Sequence, residues 1–398
     1  MHMRTLIANA TVFNGARFLP GTSVLFDDES IIGVEADLDA RGDCRVIDGR
    51  SHTLLPGLID AHVHTPSILG FAESSLRNAV VFGVTTVIDL GAEPAVVAAM
   101  KARAAVTPAF ADLRSAGVVA TAPGGHPLEL GGELPTLSRP EEAPAFVAAR
   151  VADGSDFLKI ILEDGTTYGI ESPTFDYPVV EALTKAGHDA GLLVVAHAAG
   201  QGFARWAIRA GVDVLAHAVV DEPPASDVVS ALADRGTAVM STLTVFEAAE
   251  RHQLWTDPRV ATYLEPSFLE RLSEHVAPKH RPATQIENGL RFIRACHDAG
   301  VPILAGTDAP NPATAPGASL HRELQLLVES GFSTADALAA ATSRPAGVFG
   351  LRDRGRIAAG LRSDLVLVAG EVERDISHTL EIRNVWRQGV EVERVRHQ

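Results

Sequence analysis

Two histidines spaced two residues apart are where the chemistry of this chain begins. They lie in Leu55-Pro56-Gly57-Leu58-Ile59-Asp60-Ala61-His62-Val63-His64. Side chains at i and i+2 of a strand leave it on the same side. His62 and His64 therefore project two imidazoles together, with Val63 on the other face. Two nitrogen donors on a rigid strand end are half of a metal site. Taken alone, the pair reads more simply as polar residues at a strand exit. Three further donors change that weighting. His197 ends Leu-Leu-Val-Val-Ala-His, His217 ends Val-Asp-Val-Leu-Ala-His, and Asp308 follows Val-Pro-Ile-Leu-Ala-Gly-Thr. Burying one such group without a partner costs free energy, and burying five would be very expensive. A cation would offset all of them together.

Lys159, in Asp156-Phe157-Leu158-Lys159-Ile160, is flanked by apolar residues. Burial of a bare ammonium is costly and lowers its pKa. A neutral amine can add carbon dioxide to become a carbamate, an anionic ligand with two oxygens. A lysine paired with Asp156 or Glu163, or reaching out to water, is an equally open reading of the spacing.

The donors need elements to hold them. Apolar runs recur at 54–59, 84–90, 117–120, 157–162, 192–197, 212–217, 238–242 and 301–305. Helix-like stretches at 72–82, 94–105, 141–152, 177–190, 202–210, 224–234 and 285–299 lie between most of them. Gly191, Gly211 and Gly300 stand where a helix would take a left-handed C-cap before the next strand. Eight βα units over ~290 residues fit a (β/α)8 barrel, whose functional groups sit at the strand C-termini. A doubly wound sheet would carry GxGxxG or GxxxxGK[ST], and neither occurs. Short strand-like runs at 5–12, 23–26, 31–34 and 45–47, and again at 363–369 and 382–385, predict a small sheet shared by the two chain ends. The expected fold class is α/β: a TIM barrel over 56–345, with an insertion at 244–282, and a small β-sandwich domain from 1–55 and 346–398.

Composition narrows the partners. With 34 Lys+Arg against 50 Asp+Glu, the net charge of −16 argues against nucleic acid. Cys44 and Cys296 are too few for a disulfide framework or a thiolate zinc site. The longest stretch free of Asp, Glu, Lys and Arg, 190–204, has 15 residues, short of the ~18 that a membrane span requires. No leader is recognisable in the first residues. A cytoplasmic enzyme is expected, with a small-molecule substrate, no nucleic-acid or membrane partner, and homo-oligomerisation left open.

These motifs together resemble the amidohydrolase superfamily. LPGLIDAHVH, DFLKI, the two strand-ending histidines and Gly306-Thr307-Asp308-Ala309-Pro310 carry the likeness. Gly83-Val84-Thr85-Thr86, Gly124-Gly125-His126 and His321-Arg322-Glu323-Leu324 extend it across residues 5–390. The nearest branch is similar to imidazolonepropionase-like hydrolases with a fourth-strand lysine, including prolidases, arginine carboxypeptidases and ochratoxin-type amidases. The resemblance implies two divalent metal ions, with zinc expected from the ligand types. It assigns His62, His64 and Asp308 to the more buried ion and His197 and His217 to the second. Lys159, as a carbamate formed from CO2, would bridge both together with a hydroxide. Asp308 would also move the proton. His126, on a glycine-flanked loop, would orient the substrate or stabilise the oxyanion, and Tyr168 would line the mouth.

The implied activity is hydrolysis of an amide (peptide-like or N-acyl amino acid), ester or lactone bond. The alternative is a mononuclear hydrolase or deaminase acting on a cyclic amidine or imidazolone-type ring. The stretch His197-Ala198-Ala199-Gly200 holds no acid of the kind deaminases use, and Lys159 favours two ions. A non-catalytic barrel would have lost ligands, and all six are present. Two departures fall in substrate-facing loops: Leu162-Glu163-Asp164-Gly165 replaces the Gly-Gly of related peptidases, and Ala218 replaces a glycine. Arg205, Arg209 and Arg322 are nominal anchors for a substrate carboxylate. If 244–282 covers the site, Trp255 and Phe268 would meet an apolar part of the substrate.

Overall fold

The structure, a computed structural model, describes residues 4–36, 38, 44–66, 69–128, 133–247, 253–274 and 283–397. β1 (Arg4–Phe13), β2 (Phe18–Phe26), β3 (Ile31–Glu35), β4 (Cys44–Asp48) and β5 (His52–Pro56) come first. β6 (Leu58–Val63), β7 (Val84–Asp89), β8 (Asp112–Ser115), β9 (Leu158–Ile161), β10 (Val194–His197), β11 (Val214–Ala216), β12 (Ala238–Met240) and β13 (Ile303–Leu304) follow. β14 (Leu365–Ala369), β15 (Ile382–Arg387) and β16 (Val390–Glu391) end the chain.

The two chain ends share one mixed eight-stranded sheet, ordered β16-β15-β14-β5-β1-β2-β3, with β4 also on β1. Its seam is the antiparallel pairing of β14 with β5, Leu365 opposite Pro56 and Val366 opposite Leu55. Phe26 on β2 and Trp386 on β15 are four strands apart in that order, which in a flat sheet is ~19 Å. Their ring centroids are nevertheless 5.4 Å apart, edge to face, so the sheet curls over its own apolar side.

The apolar run 54–59 proves to belong to two sheets. β5 closes the mixed sheet and β6 opens the parallel part, with Gly57 as the crossing. A Cβ at Gly57 would lie 2.2 Å from Thr85 Oγ1, so no larger residue passes there. The parallel strands form two groups, β6-β7-β8 and β13-β12-β11-β10-β9. Ala61 N–H donates to Ala305 O (2.9 Å), just past β13. Ala120, just past β8, donates to Lys159 O (2.8 Å) and accepts from Ile161 N–H (2.9 Å). Ile59, Ile88, Val195, Val214, Met240 and Leu304, drawn from both groups, share one buried cluster. Leu58, Val87, Ile160, Leu215 and Val239 face a second, larger cluster built with the helices. Strands buried on both faces read as continuous apolar runs, which is why most were visible in the sequence.

The third strand is the exception. It was expected at 117–120 and lies at Asp112–Ser115. Its polar residues are held in place because Asp112, half-buried, meets arginines of the C-terminal segment at one end, and the buried Ser115 hydroxyl donates to Asp89 at the other. Helices form close to their expected positions. Gln201–Ala210, for example, buries Ala204, Ala207 and Ile208 and ends at Gly211 (φ 87°), the left-handed cap that glycine allows.

Part of the 244–282 insertion is described. The short helices Pro258–Ala261 and Pro266–Leu272 pack Val260, Phe268 and Leu272 against Val81, Phe82, Ala315, Ala318 and Leu380. Phe268 is buried there and Trp255 rests against the same cluster. The aromatic residues expected to meet substrate are thus packing residues. His252, His275 and His280 lie outside the described residues. No described helix is long and apolar enough to cross a membrane.

Candidate metal centre

His62, His64, His197, His217 and Asp308 all lie at or just beyond the C-terminal ends of parallel strands. The i, i+2 alternation of β6 brings His62 and His64 to one side, their ring centroids 5.4 Å apart. His62 Nε2 is 3.2 Å and His64 Nε2 3.1 Å from Asp308 Oδ1. One donor atom from each of these three residues falls within a 4.8 Å group. The His217 ring is 4.6 Å from that of His62 and 4.4 Å from that of His197. Gly306 lets the chain before Asp308 run against His62, where a Cβ would meet the His62 Cβ at 2.6 Å. His217 (φ 82°) and Asp308 (φ 58°) hold left-handed backbone conformations, which cost energy for non-glycine residues and concentrate at functional sites.

The donors suit a cation. His62 Nδ1 is buried without a hydrogen-bond partner, although buried polar atoms normally have one, and His62 Nε2 and Asp308 Oδ1 meet only within the donor cluster itself. Burial pushes His62 down to about 3, and it holds His197 and His217 well below the usual imidazole value. They are therefore neutral, the form that offers a lone pair to a metal. Burial works against the Asp308 carboxylate, but the adjacent His62 and His64 outweigh it and keep Asp308 ionised. Lys159 is buried, and burial pushes it down to about 7, with Asp308 opposing the shift. Its charge acts on His62, His64, His197 and His217 as well.

The two partners that would have made Lys159 an ordinary ion-paired lysine are engaged elsewhere. Asp156 pairs with Lys101 (2.7 Å) and accepts from Ser115 N–H (2.8 Å). Glu163 accepts from Gly165 N–H (2.6 Å) and stands 3.4 Å from His197 Nε2. The acid missing from the sequence around His197 is thus supplied in space, from 34 residues away.

Two further candidates reach the site. The half-buried His126 ring lies 5.5 Å from His197 and stacks on Tyr168 at 6.1 Å. Three others do not. Arg205 pairs with Asp227 (2.7 Å), Arg209 covers the Tyr177 ring (4.3 Å), and Arg322 is clamped by Glu247 (2.7 Å) and Glu329 (2.8 Å). Sequence reasoning gave no role to Asp60. Burial pushes it up to about 7, and it accepts from Thr307 Oγ1 (2.7 Å) and His62 N–H (3.2 Å). Its signal was its place two residues before His62. Glu163 was noticed only as a possible partner of Lys159 and as a departure, and Thr242, which meets His217 Nδ1 through Oγ1 at 2.9 Å, gave no signal.

Comparison with known proteins follows this geometry. The amidohydrolase family profile matches residues 53–392. An imidazolonepropionase from Deinococcus deserti is 38% identical over 108 residues, 26% of this chain and 26% of that protein. The match thus spans about a quarter of the relative's length. A Xaa-Pro dipeptidase crystallised with bound methionine superposes with a TM-score of 0.81 at 24% identity, covering 98% of this chain and 100% of the other. The A. niger ochratoxinase superposes at 0.76 and 19% identity, covering 98% and 95%. Likeness at these identities establishes a shared fold.

Proposed function

The chain belongs to the amidohydrolase family, whose chemistry is hydrolysis at carbon–nitrogen bonds, and from that premise we propose a binuclear metal-dependent hydrolase of a peptide-like or N-acyl amino acid amide, with esters and lactones as further substrates. The observation that carries this reading is the convergence of His62, His64 and Asp308 on one point, their donor atoms packed against one another and His62 Nδ1 left without a hydrogen-bond partner.

In this reading β6 to β13 make one (β/α)8 barrel over 56–345, and 1–55 and 346–398 make a small β-sandwich domain. The hydrogen bonds at both margins of the two parallel groups and their shared inner cluster support it. His62, His64 and Asp308 would hold one zinc ion and His197 and His217 a second. Lys159 would serve both as a carbamate: its neutral amine forms a bond to the carbon of CO2 and releases a proton. When bound, the two ions lower the pKa of water and polarise the scissile carbonyl.

The protein's own groups do the rest. Asp308, held as a carboxylate, accepts the proton of the attacking water and returns it to the leaving nitrogen or oxygen. His126 reaches from its loop to donate to the carbonyl oxygen, and Tyr168, stacked on it, lines the mouth. Purified protein supplied with bicarbonate should contain about two equivalents of zinc, and Lys159→Ala should lose the second. A panel of N-acyl amino acids, dipeptides, aryl esters and lactones would then identify the scissile bond.

One observation favours a second reading, a mononuclear ring hydrolase or deaminase: Glu163 stands beside His197. A Glu163 side chain only 1% exposed is poorly placed to reach a substrate, so we keep it second. A clean single equivalent of metal, with turnover of an imidazolone or adenine, would reverse that order.

A further inference from the structure

A neutral imidazole carries one N–H and one lone pair, and which nitrogen holds which is set by the partner behind the ring. His197 Nδ1 and His217 Nε2 face each other at 3.0 Å. Both nitrogens can offer lone pairs to one ion only if both N–H groups move to the far side of each ring. Acceptors wait at both places. Glu163 Oε2 is 3.4 Å from His197 Nε2, and Thr242 Oγ1 is 2.9 Å from His217 Nδ1. Turning the His197 ring over would set carbon atoms against both Glu163 and His217, so the two contacts select a single orientation.

Glu163 is itself held. Its other oxygen accepts from Gly165 N–H (2.6 Å). Gly165 (φ 87°) cannot carry a side chain, since a Cβ there would lie 2.3 Å from Ile170 O. An apolar residue would be a less costly occupant of so buried a position. A carboxylate kept there, against a ring whose tautomer matters, has the form of the outer partner that metal-binding histidines use.

We propose that Glu163 is a positioning residue that fixes His197 with its N–H on Nε2 and its Nδ1 lone pair toward the second ion, while Thr242 does the converse for His217. This rests on the two-ion reading above. It explains why the loop after β9 reads Glu-Asp-Gly here, and it gives Glu163 a structural-electronic task instead of contact with substrate.

The test measures Zn2+ affinity by chelator competition in the wild-type protein, Glu163→Ala, Glu163→Gln and Thr167→Val, with the visible absorption spectrum of the Co2+-loaded proteins alongside. Glu163→Ala should weaken one of the two ions by roughly 10–100-fold and remove one component of the cobalt spectrum, leaving the ion at His62, His64 and Asp308 unchanged. Glu163→Gln keeps an acceptor oxygen and should recover most of the affinity. Thr167→Val removes the side-chain hydrogen bond between Thr167 and Glu163 and should bind both ions as wild type does. Two ions at wild-type affinity in Glu163→Ala would overturn the proposal alone. So would equal weakening in all three variants, which would make Glu163 a loop-folding residue. A wild-type protein with a single ion would overturn the two-ion reading and this inference together.

Discussion

The parallel strands carry a buried polar cluster at each end, and the two are built on opposite rules. At the N-terminal end of β8, Asp112 lies against Arg354 and Arg362, and Arg354 also holds Asp353 (2.8 Å) and the Thr86 hydroxyl (3.0 Å). Charges of opposite sign face each other there, although Nε and Nη2 of the neighbouring buried Arg387 have no hydrogen-bond partner. Burial works against the Asp112 carboxylate, but the arginines outweigh it and hold Asp112 well below the usual range. At the C-terminal end, imidazoles, a carboxylate and a lysine are brought together, and His62 Nδ1 has no hydrogen-bond partner. The difference lies in the groups themselves: one end sets guanidiniums against carboxylates, and the other gathers neutral imidazoles around a carboxylate, the donor set a cation takes.

The sharpest way to break the comparison is Asp308→Asn. It should lower kcat on the best substrate of the panel by roughly 100–10,000-fold while circular dichroism shows a folded protein. Near wild-type turnover would remove Asp308 from proton transfer. Next comes Arg354→Met, which leaves Asp112 without a main partner. A loss of roughly 1–3 kcal/mol in urea unfolding is expected, because Arg362 stays on Asp112, with zinc content per folded molecule unchanged. Zinc lost in proportion would mean that the two ends are not separable.

The pH dependence of the metal-free protein sharpens the contrast further. Asp112 has a depressed folded value, so its contribution is present above about 3.8 and is lost as pH falls below it. Lys159 is a base depressed from 10.5 to about 7, so the unfolded chain binds the extra proton between those values and stability rises with pH across that window. Measured against Lys159→Met, the wild type should gain on the order of 3–5 kcal/mol from pH 7 to 10.5. Parallel pH profiles would show that Lys159 is not a desolvated amine. The smallest effect is expected from Arg205→Ala. Its pair with Asp227 is solvent-exposed and screened, so stability should stay within experimental error, and KM should not move, because the side chain is held in a surface pair and not in the site.

Legibility followed periodicity. The pairing of His62 with His64 could be read because strand alternation is local, and His197, His217 and Asp308 because each closes an apolar run. The split of 54–59 at Gly57 could not be read, since both halves are equally apolar and only the close approach of Thr85 separates them. β8 was displaced in the reading because its residues are polar, and the arginines that meet Asp112 lie more than two hundred residues downstream. Arg322 looked like a free cation until Glu247 and Glu329 closed on it.

Residue types and local spacing thus determined the donor inventory of this chain, the strand ends that carry it and the α/β alternation around it. These follow from backbone geometry, which acts over a few residues. Only the tertiary structure decided which donors meet, which are buried past satisfaction, and which neighbour stands behind each ring. Those properties depend on desolvation and on contacts such as Glu163 with His197, which join segments that no local pattern connects.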